Sequence, residues 1–337
     1  MRSYLRQDGT ARRGSKNKGR VMKVVIQNHY EFITTDGYLF KNESSDVGHN
    51  LLRPWVQLYK MAKDVGIELY TPDQVDLYTV DLAIFMDRPK VEPDIPGANK
   101  ILILYEPEAV LPDNWDEAYH DRFDKVLTWN DKLVNRQKYI KHNFTVDWQD
   151  RYSCFGMTDG DFNSRKLLCM MQTAKNSPYP NSLYPRRIEA IQWFQQNAMF
   201  EFDLWGRGWP IQSFPVLKGS TNNKLRTYNN YKFALAFENC DNAVGYISEK
   251  ILDCFMAGIV PIYWGAPNVT NHIPAECFID MRDFQSYDDL YKYLKGVSFQ
   301  RYTEYMEAID EFIRSDKANQ FDSNEEVKEL LRLIGSY

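Results

Sequence analysis

The stretch YKFALAFENCDNAVGYISEKILDCFMAGIVP, residues 231–261, decides the fold. Its opening apolar run, residues 233–237, predicts a buried strand that ends at Glu238 and Asn239. A polar turn follows, and Ser248 then offers an N-cap with Glu249 in the first helical turn. Ile251, Leu252, Phe255 and Met256 recur at helical spacing, and Gly258 supplies a C-cap. Residues 259–264 predict a second buried strand, so the unit is strand, turn, helix, strand.

Lys250 is the odd residue of this unit. A cation in the first helical turn opposes the helix dipole. The placement makes sense if an anion binds there, because free amides, dipole and ammonium then converge on one phosphate. The plainer alternative is a solvated surface lysine.

Outward from this unit the same alternation continues. Upstream, residues 166–172 and 202–205 predict strands on either side of a helix over 186–200. Downstream come a short strand over 277–280 and a helix over 286–295. Closing helices are expected over 302–314 and 324–334. Nearer the start, strands are expected over 22–27, 67–70, 81–86, 100–105 and 125–129, with a helix over 48–65. Strands that read as continuous apolar runs and alternate with helices predict parallel sheets covered on both faces. The expected organisation is a basic disordered tail over 1–21, a first Rossmann-like domain over 22–155 and a second α/β domain over 156–300. Closing helices fill 301–337. Residues 152–163, which lack periodicity, are expected to be the linker.

The chain has 337 residues, enough for two domains, with 44% hydrophobic and 26% charged residues. A net charge of -5 argues against a nucleic-acid binder. Aromatics reach 15% of the chain, a composition common in sugar-binding proteins and in aromatic cores alike. Five scattered cysteines at 154, 169, 240, 254 and 277 point to buried thiols in a reducing compartment. No long apolar run predicts a membrane span and no apolar core follows the basic start, so a cytoplasmic protein is expected. Its basic tail allows at most peripheral membrane contact.

The central stretch resembles the donor-site motif of the α1,3-fucosyltransferases, glycosyltransferase family 10. The residues that carry the likeness are F-x-L-x-F-E-N at 233–239, G-Y-I-S-E-K at 245–250 and A-G-I-V-P-I-Y-W-G-A-P at 257–267. The resemblance covers roughly residues 183–285 and is thin upstream. It implies a GT-B architecture, two Rossmann-like domains facing across a cleft, with the final helices crossing back to the first domain. It also implies an inverting enzyme that moves L-fucose from GDP-β-L-fucose to a hydroxyl of an oligosaccharide or glycoconjugate, in α1,3 linkage. The alternatives are another sugar nucleotide on the same fold, or a non-catalytic carbohydrate-binding protein.

By the same likeness, Arg187 takes the place of a diphosphate-contacting arginine, with Arg186 the near alternative. Glu249 looks like the acceptor for the ribose hydroxyls, a task that suits a carboxylate. Asn239 and Tyr246 match donor-contacting positions, Lys224 matches a family lysine, and Glu238 is expected to hold the turn. Fixed cations and a helix dipole then replace a metal at the leaving diphosphate, so no cofactor or essential metal is expected. Asp159-Gly160-Asp161 spells a metal-binding D-x-D but falls in the expected linker. The acceptor's proton needs a base on the opposite face of the sugar. Family members carry a glutamate after the strand equivalent to 100–105. This chain reads Tyr105-Glu106-Pro107-Glu108 there, which departs from the usual spelling and leaves Glu106 and Glu108 as the two candidates.

Overall fold

The computed structural model describes residues 20–44, 50–134, 138–152 and 157–337. Residues 1–19 of the expected basic tail and Cys154 lie outside the described residues, while Arg20 pairs with Asp81 at 2.6 Å. The first sheet contains β1 (Met22–Asn28), β2 (Ile67–Tyr70), β3 (Leu82–Met86), β4 (Asn99–Leu104), β5 (Lys125–Thr128) and β6 (Tyr139–Lys141). All neighbours are parallel, in the order β2-β1-β3-β4-β5-β6. The second contains β7 (Lys166–Met171), β8 (Phe202–Trp205), β9 (Tyr231–Phe237), β10 (Val260–Trp264) and β11 (Ile279–Asp280), in the order β8-β7-β9-β10-β11. It too is parallel throughout.

Both sheets are doubly wound in the same sense. The chain starts inside the sheet, moves one strand outward, then returns to the other side of its starting strand. The strand order therefore reverses between β1 and β3 in one sheet and between β7 and β9 in the other. In open α/β sheets the crevice beyond the carboxyl ends at such a switch point is where ligands bind.

Apolar runs become these strands because both sheet faces are covered. In the first sheet Val24, Ile26, Ile84, Ile101 and Ile103 join one core, while Val25, Phe85, Leu102 and Leu104 join the other. Successive side chains point to opposite faces, so only a run without polar breaks serves two cores. One face is covered by α1 (Arg53–Asp64), through Trp55 and Leu58. The other receives Tyr119 of α2 (Glu117–His120) and Phe123.

The helix expected over 48–65 begins only at Arg53, with Pro54 in its first turn, where the missing amide costs nothing. The expected linker contains a helix, α3 (Asp159–Ser164), whose start is the D-x-D itself. Asp161 accepts from the Thr158 amide at 2.9 Å and hydroxyl at 2.7 Å, and Asp159 accepts from Asn163 at 2.9 Å. Asp161 completes a capping box with Thr158, which gives the D-x-D a structural role at the start of this helix.

The second domain adds α4 (Tyr184–Asn197), α5 (Lys224–Tyr228), α6 (Glu249–Ala257) and α7 (Tyr287–Gly296). The two last helices part company. Helix α8 (Phe299–Arg314) packs Tyr302, Tyr305, Ile309 and Phe312 into the second domain's core. Helix α9 (Ser323–Ile334) crosses over and packs Val327, Leu330 and Ile334 into the first domain's core beside Trp55 and Leu58. No described helix is long and apolar enough to cross a membrane.

The domains also meet beside the cleft. Asp131 accepts from Lys141, from Asn268 at 2.7 Å and from His272 at 2.8 Å, while its amide donates to Val244 O at 3.2 Å. Gly245 makes that approach possible. Its φ is +86°, and a Cβ would stand 2.4 Å from Trp129 O and 2.8 Å from the Asp131 carboxylate. Gly245→Ala is therefore expected to destabilise the protein by about 2 kcal/mol or more, from left-handed strain and the forced separation of the domains. Urea unfolding of the variant checks this, and an unchanged midpoint would show that the contact yields freely.

Candidate functional site

The carboxyl ends of both sheets face one cleft. From the second domain, β9 runs out at Phe237 and delivers Glu238 and Asn239. Glu238 is fully buried and organises the start of α6. It accepts from the Ser248 amide and the Ser248 hydroxyl, each at 2.7 Å. Lys250 Nζ lies 3.3 Å from the same carboxylate and donates to Ser248 Oγ at 2.9 Å. The unfavourable placement of this lysine thus has an internal counter-charge, which the sequence reading left to a ligand. Gly265 makes room for it, since a Cβ there would stand 2.4 Å from Glu238 Cγ. Lys250 is only 13% exposed. Burial pulls its pKa down, but Glu249 and Glu238 more than offset this and keep it charged.

Asn239 is the hub of the neighbouring knot. Its Oδ1 accepts from Arg187 Nη2 at 3.1 Å and from the Tyr184 hydroxyl at 3.3 Å, and its Nδ2 donates to the Tyr246 hydroxyl at 2.9 Å. Arg187 also donates to Phe237 O at 2.8 Å, and its guanidinium lies over the Tyr184 ring at 4.5 Å. It is 2% exposed, and its Nε–H is buried with no protein acceptor. An unpaired buried donor on a cation costs stability unless an acceptor meets it. Arg187 and Lys250 are close enough to lower each other's proton affinity, so two positive groups converge here. Arg186 points away. It is exposed, pairs with Glu189 at 2.7 Å and takes no part in this knot.

Glu249 and Lys224 lie on the far side of Lys250. Burial raises the Glu249 pKa, but the charges of Lys250 and Lys224 outweigh it and keep the carboxylate ionised. Lys224 opens α5 and binds Asp253, one turn into α6. Tyr246 is buried between the domains, with its ring 4.8 Å from Trp129 and 5.9 Å from Phe144. It therefore touches the donor-side knot through its hydroxyl alone.

From the first domain, the carboxyl end of the sheet presents Asp87 after β3, at the switch point, and Glu106 after β4, one strand further on. The sequence reading missed Asp87, although a lone acid directly after an apolar strand is a usable signal. Asp87 is 4% exposed, holds a φ of +60° and accepts from the amide of Tyr105 at 2.7 Å, the amide of Glu106 at 3.2 Å and Asn114 Nδ2 at 2.7 Å. It thereby fixes the loop that carries Glu106. The Glu106 carbonyl is held in turn by Asn114 Nδ2 and Trp115 Nε1. Burial, then the charge of Asp87, push the Glu106 carboxyl up to about 7. Lys175 and Lys250 act on it from across the cleft in the opposite direction.

Glu108, two residues on, has a different setting. It is exposed and accepts from the Tyr179 hydroxyl of the second domain at 3.0 Å. The loop before α4 is tied down again where Ser177 Oγ donates to Ala109 O at 2.6 Å. Glu108 thus works as a tether between the domains, while Glu106 faces the cleft.

Two parallel-sheet α/β domains, with a cation-lined helix start on one wall of the cleft and a carboxylate on the other, give the chain a GT-B architecture. Residues 163–330 match the model of glycosyltransferase family 10 (fucosyltransferase), C-terminal, and the chain belongs to that family. It is 37% identical over 76 residues, 23% of its length, to the α-(1,3)-fucosyltransferase FucT of Helicobacter pylori. It is 44% identical over 77 residues, 22% of its length, to the 4-galactosyl-N-acetylglucosaminide 3-α-L-fucosyltransferase 9 of Mus musculus. The chain thus spans only 16% and 21% of those two relatives. A solved α1,3-fucosyltransferase with GDP-fucose shares the fold along 96% of this chain and 93% of its own, with a TM-score of 0.53 at 16% identity.

Proposed function

We propose that this protein is an inverting fucosyltransferase that moves L-fucose from GDP-β-L-fucose to a hydroxyl of a glycan, in α1,3-type linkage. One observation carries the reading. Glu106, beyond the carboxyl end of β4 in one sheet, and Lys250 with Glu249, at the start of the helix after β9 in the other, are within electrostatic reach of each other. The family match over the second domain and the naming of the curated relatives support fucose as the sugar.

In this reading Lys250, the α6 amides and the Arg187 Nε–H receive the diphosphate, and Glu249 accepts from the ribose hydroxyls. Asn239 and Tyr246 hold Arg187 in place, and Lys224 keeps Asp253 and Glu249 oriented. The acceptor oxygen attacks the anomeric carbon from the face opposite the diphosphate. As the C–O bond forms, Glu106 takes the hydroxyl proton and the bond to the diphosphate oxygen breaks. GDP leaves with the bonding pair, and its growing charge is met by cations already in place. The buried thiols Cys169, Cys240, Cys254 and Cys277 support a reducing, cytoplasmic setting.

The test is a panel of sugar nucleotides assayed for hydrolysis and for transfer to a glycan array. GDP-fucose is expected to be the donor turned over. Preference for another sugar nucleotide would overturn the assignment. Transfer is also expected to persist after exhaustive chelation, because fixed cations do a metal's work at the diphosphate. Complete loss of activity restored only by magnesium or manganese would contradict that part.

A further inference from the structure

The loop after β1 stands at the first domain's switch point, and neither the donor motif nor the proposed base uses it. Four rings follow one another along it. His29 meets Tyr30 at 5.1 Å between centroids, Tyr30 meets Phe32 at 6.4 Å, and Phe32 meets Tyr38 at 6.1 Å. The ladder is anchored from below. Asn28 Oδ1 accepts from the Tyr30 amide at 2.8 Å, and His29 Nδ1 bonds Arg88 O at 2.7 Å. The His29 amide donates to Met86 O at 3.0 Å, which sets this end of the ladder beside Asp87, and the Tyr30 hydroxyl feels burial first and then the charges of Glu106 and Asp87. Phe32, between Tyr30 and Tyr38, is nonetheless 48% exposed.

We propose that this ladder is the acceptor subsite, in which Tyr30 and Phe32 stack the apolar faces of an uncharged pyranose and aim its hydroxyl at Glu106. The assignment rests on the glycosyl-transfer reading above. Three observations point to this occupant. Aromatic faces with a polar tip suit a ring that is apolar on its faces and hydroxylated at its edge. The ladder starts beside the proposed base, where the nucleophile must lie. The charged residues along it are Glu31, Asp36 and Asp73, whose carboxylate accepts from the Asp36 amide at 2.7 Å, against Lys41, turned to Asp36 O, and Arg88, whose carbonyl meets His29. That acidic rim, with Glu106 beyond it, disfavours a sialylated, sulfated or phosphorylated sugar.

Phe32 separates stacking from folding, because half of its ring is in solvent and its loss removes little from the core. With N-acetyllactosamine as the probe acceptor, Phe32→Ala is expected to raise the acceptor KM about tenfold, and Tyr30→Ala more. Phe32→Trp should restore it. Phe32→Leu should be as poor as Ala, since it keeps apolar area but has no ring face, and a merely structural role would leave Leu near wild type. An acceptor KM within twofold of wild type in both alanine variants overturns the proposal. So does a glycan array on which only anionic glycans accept fucose. Failure of the wild-type protein to turn over GDP-fucose in the absence of acceptor would instead sink the fucosyl-transfer reading, so the two failures are told apart.

Discussion

Glu106→Gln is expected to lower transfer by about 10²–10⁴ while leaving GDP-fucose binding intact, because the amide keeps the shape of the side chain but cannot take a proton. The base must be ionised before attack, and the Glu106 carboxyl is held up to about 7 by burial and by Asp87. Wild-type transfer should therefore climb with pH and level off above about 7, and the Gln variant should lose that limb. The sign for stability is opposite. A carboxyl whose folded pKa exceeds its unfolded one binds more protons when folded, so its contribution falls as pH rises from about 4.5 to 7. The Gln variant should then melt no lower than wild type at pH 8, which separates lost chemistry from lost fold. Glu108→Gln should be mild, because Glu108 is exposed and tied to Tyr179. A dead Glu108 variant beside an active Glu106 variant would move the base two residues along the loop. Wild-type transfer in both single variants and the double variant would remove it from this loop altogether.

Lys250→Ala is expected to weaken GDP-fucose handling by roughly 2–4 kcal/mol in the transition state, because its contact strengthens as the diphosphate departs. The structure adds a complication that can be turned into a control. Removing the ammonium leaves Glu238, a fully buried carboxylate, without its counter-charge, and breaking such a pair is itself costly. The single variant should therefore lose both turnover and melting temperature. In the pair Glu238→Gln with Lys250→Ala no charge is stranded, so melting temperature should recover while turnover does not. Recovery of both would show that the lysine only neutralises Glu238. Lys250→Arg should rescue incompletely, since a planar fork does not fit where an ammonium reaches Ser248 Oγ and Glu238 together.

Each of these expectations draws on a different part of the chain's legibility. The donor unit was readable almost to the residue. Ser248 caps α6, and Gly258 closes it with a φ of +68°. Local signals of this kind act within a few residues, so they survive without tertiary context. The short strand β6 was missed because three residues carry too little pattern. Helix α3 was missed too, because six residues are too few for periodicity to show, although Thr158 and Asp161 spell its capping box.

Alignment on the neighbouring helix and strand favoured Arg187 over Arg186 and Glu106 over Glu108, but spacing along the chain gave no physical reason for either choice. Arg186 and Arg187 are adjacent at a helix start, and Glu106 and Glu108 share a loop. A helix turns about 100° per residue. Arg187 therefore faces β9 and Asn239 while Arg186 meets Glu189 in solvent. Glu106 is distinguished by Asp87, which is nineteen positions away in sequence yet bonded to its amide. The sequence by itself determined the α/β alternation, the continuous apolar strands and the capped helix behind the donor motif, because period, burial and capping are local properties. Only the tertiary structure decided that Glu238 neutralises Lys250, that Glu106 faces the cleft while Glu108 ties the domains together, and that α8 and α9 pack on different domains. Those outcomes depend on which surfaces meet, and burial and charge pairing across such surfaces are set by contacts that no window of sequence contains.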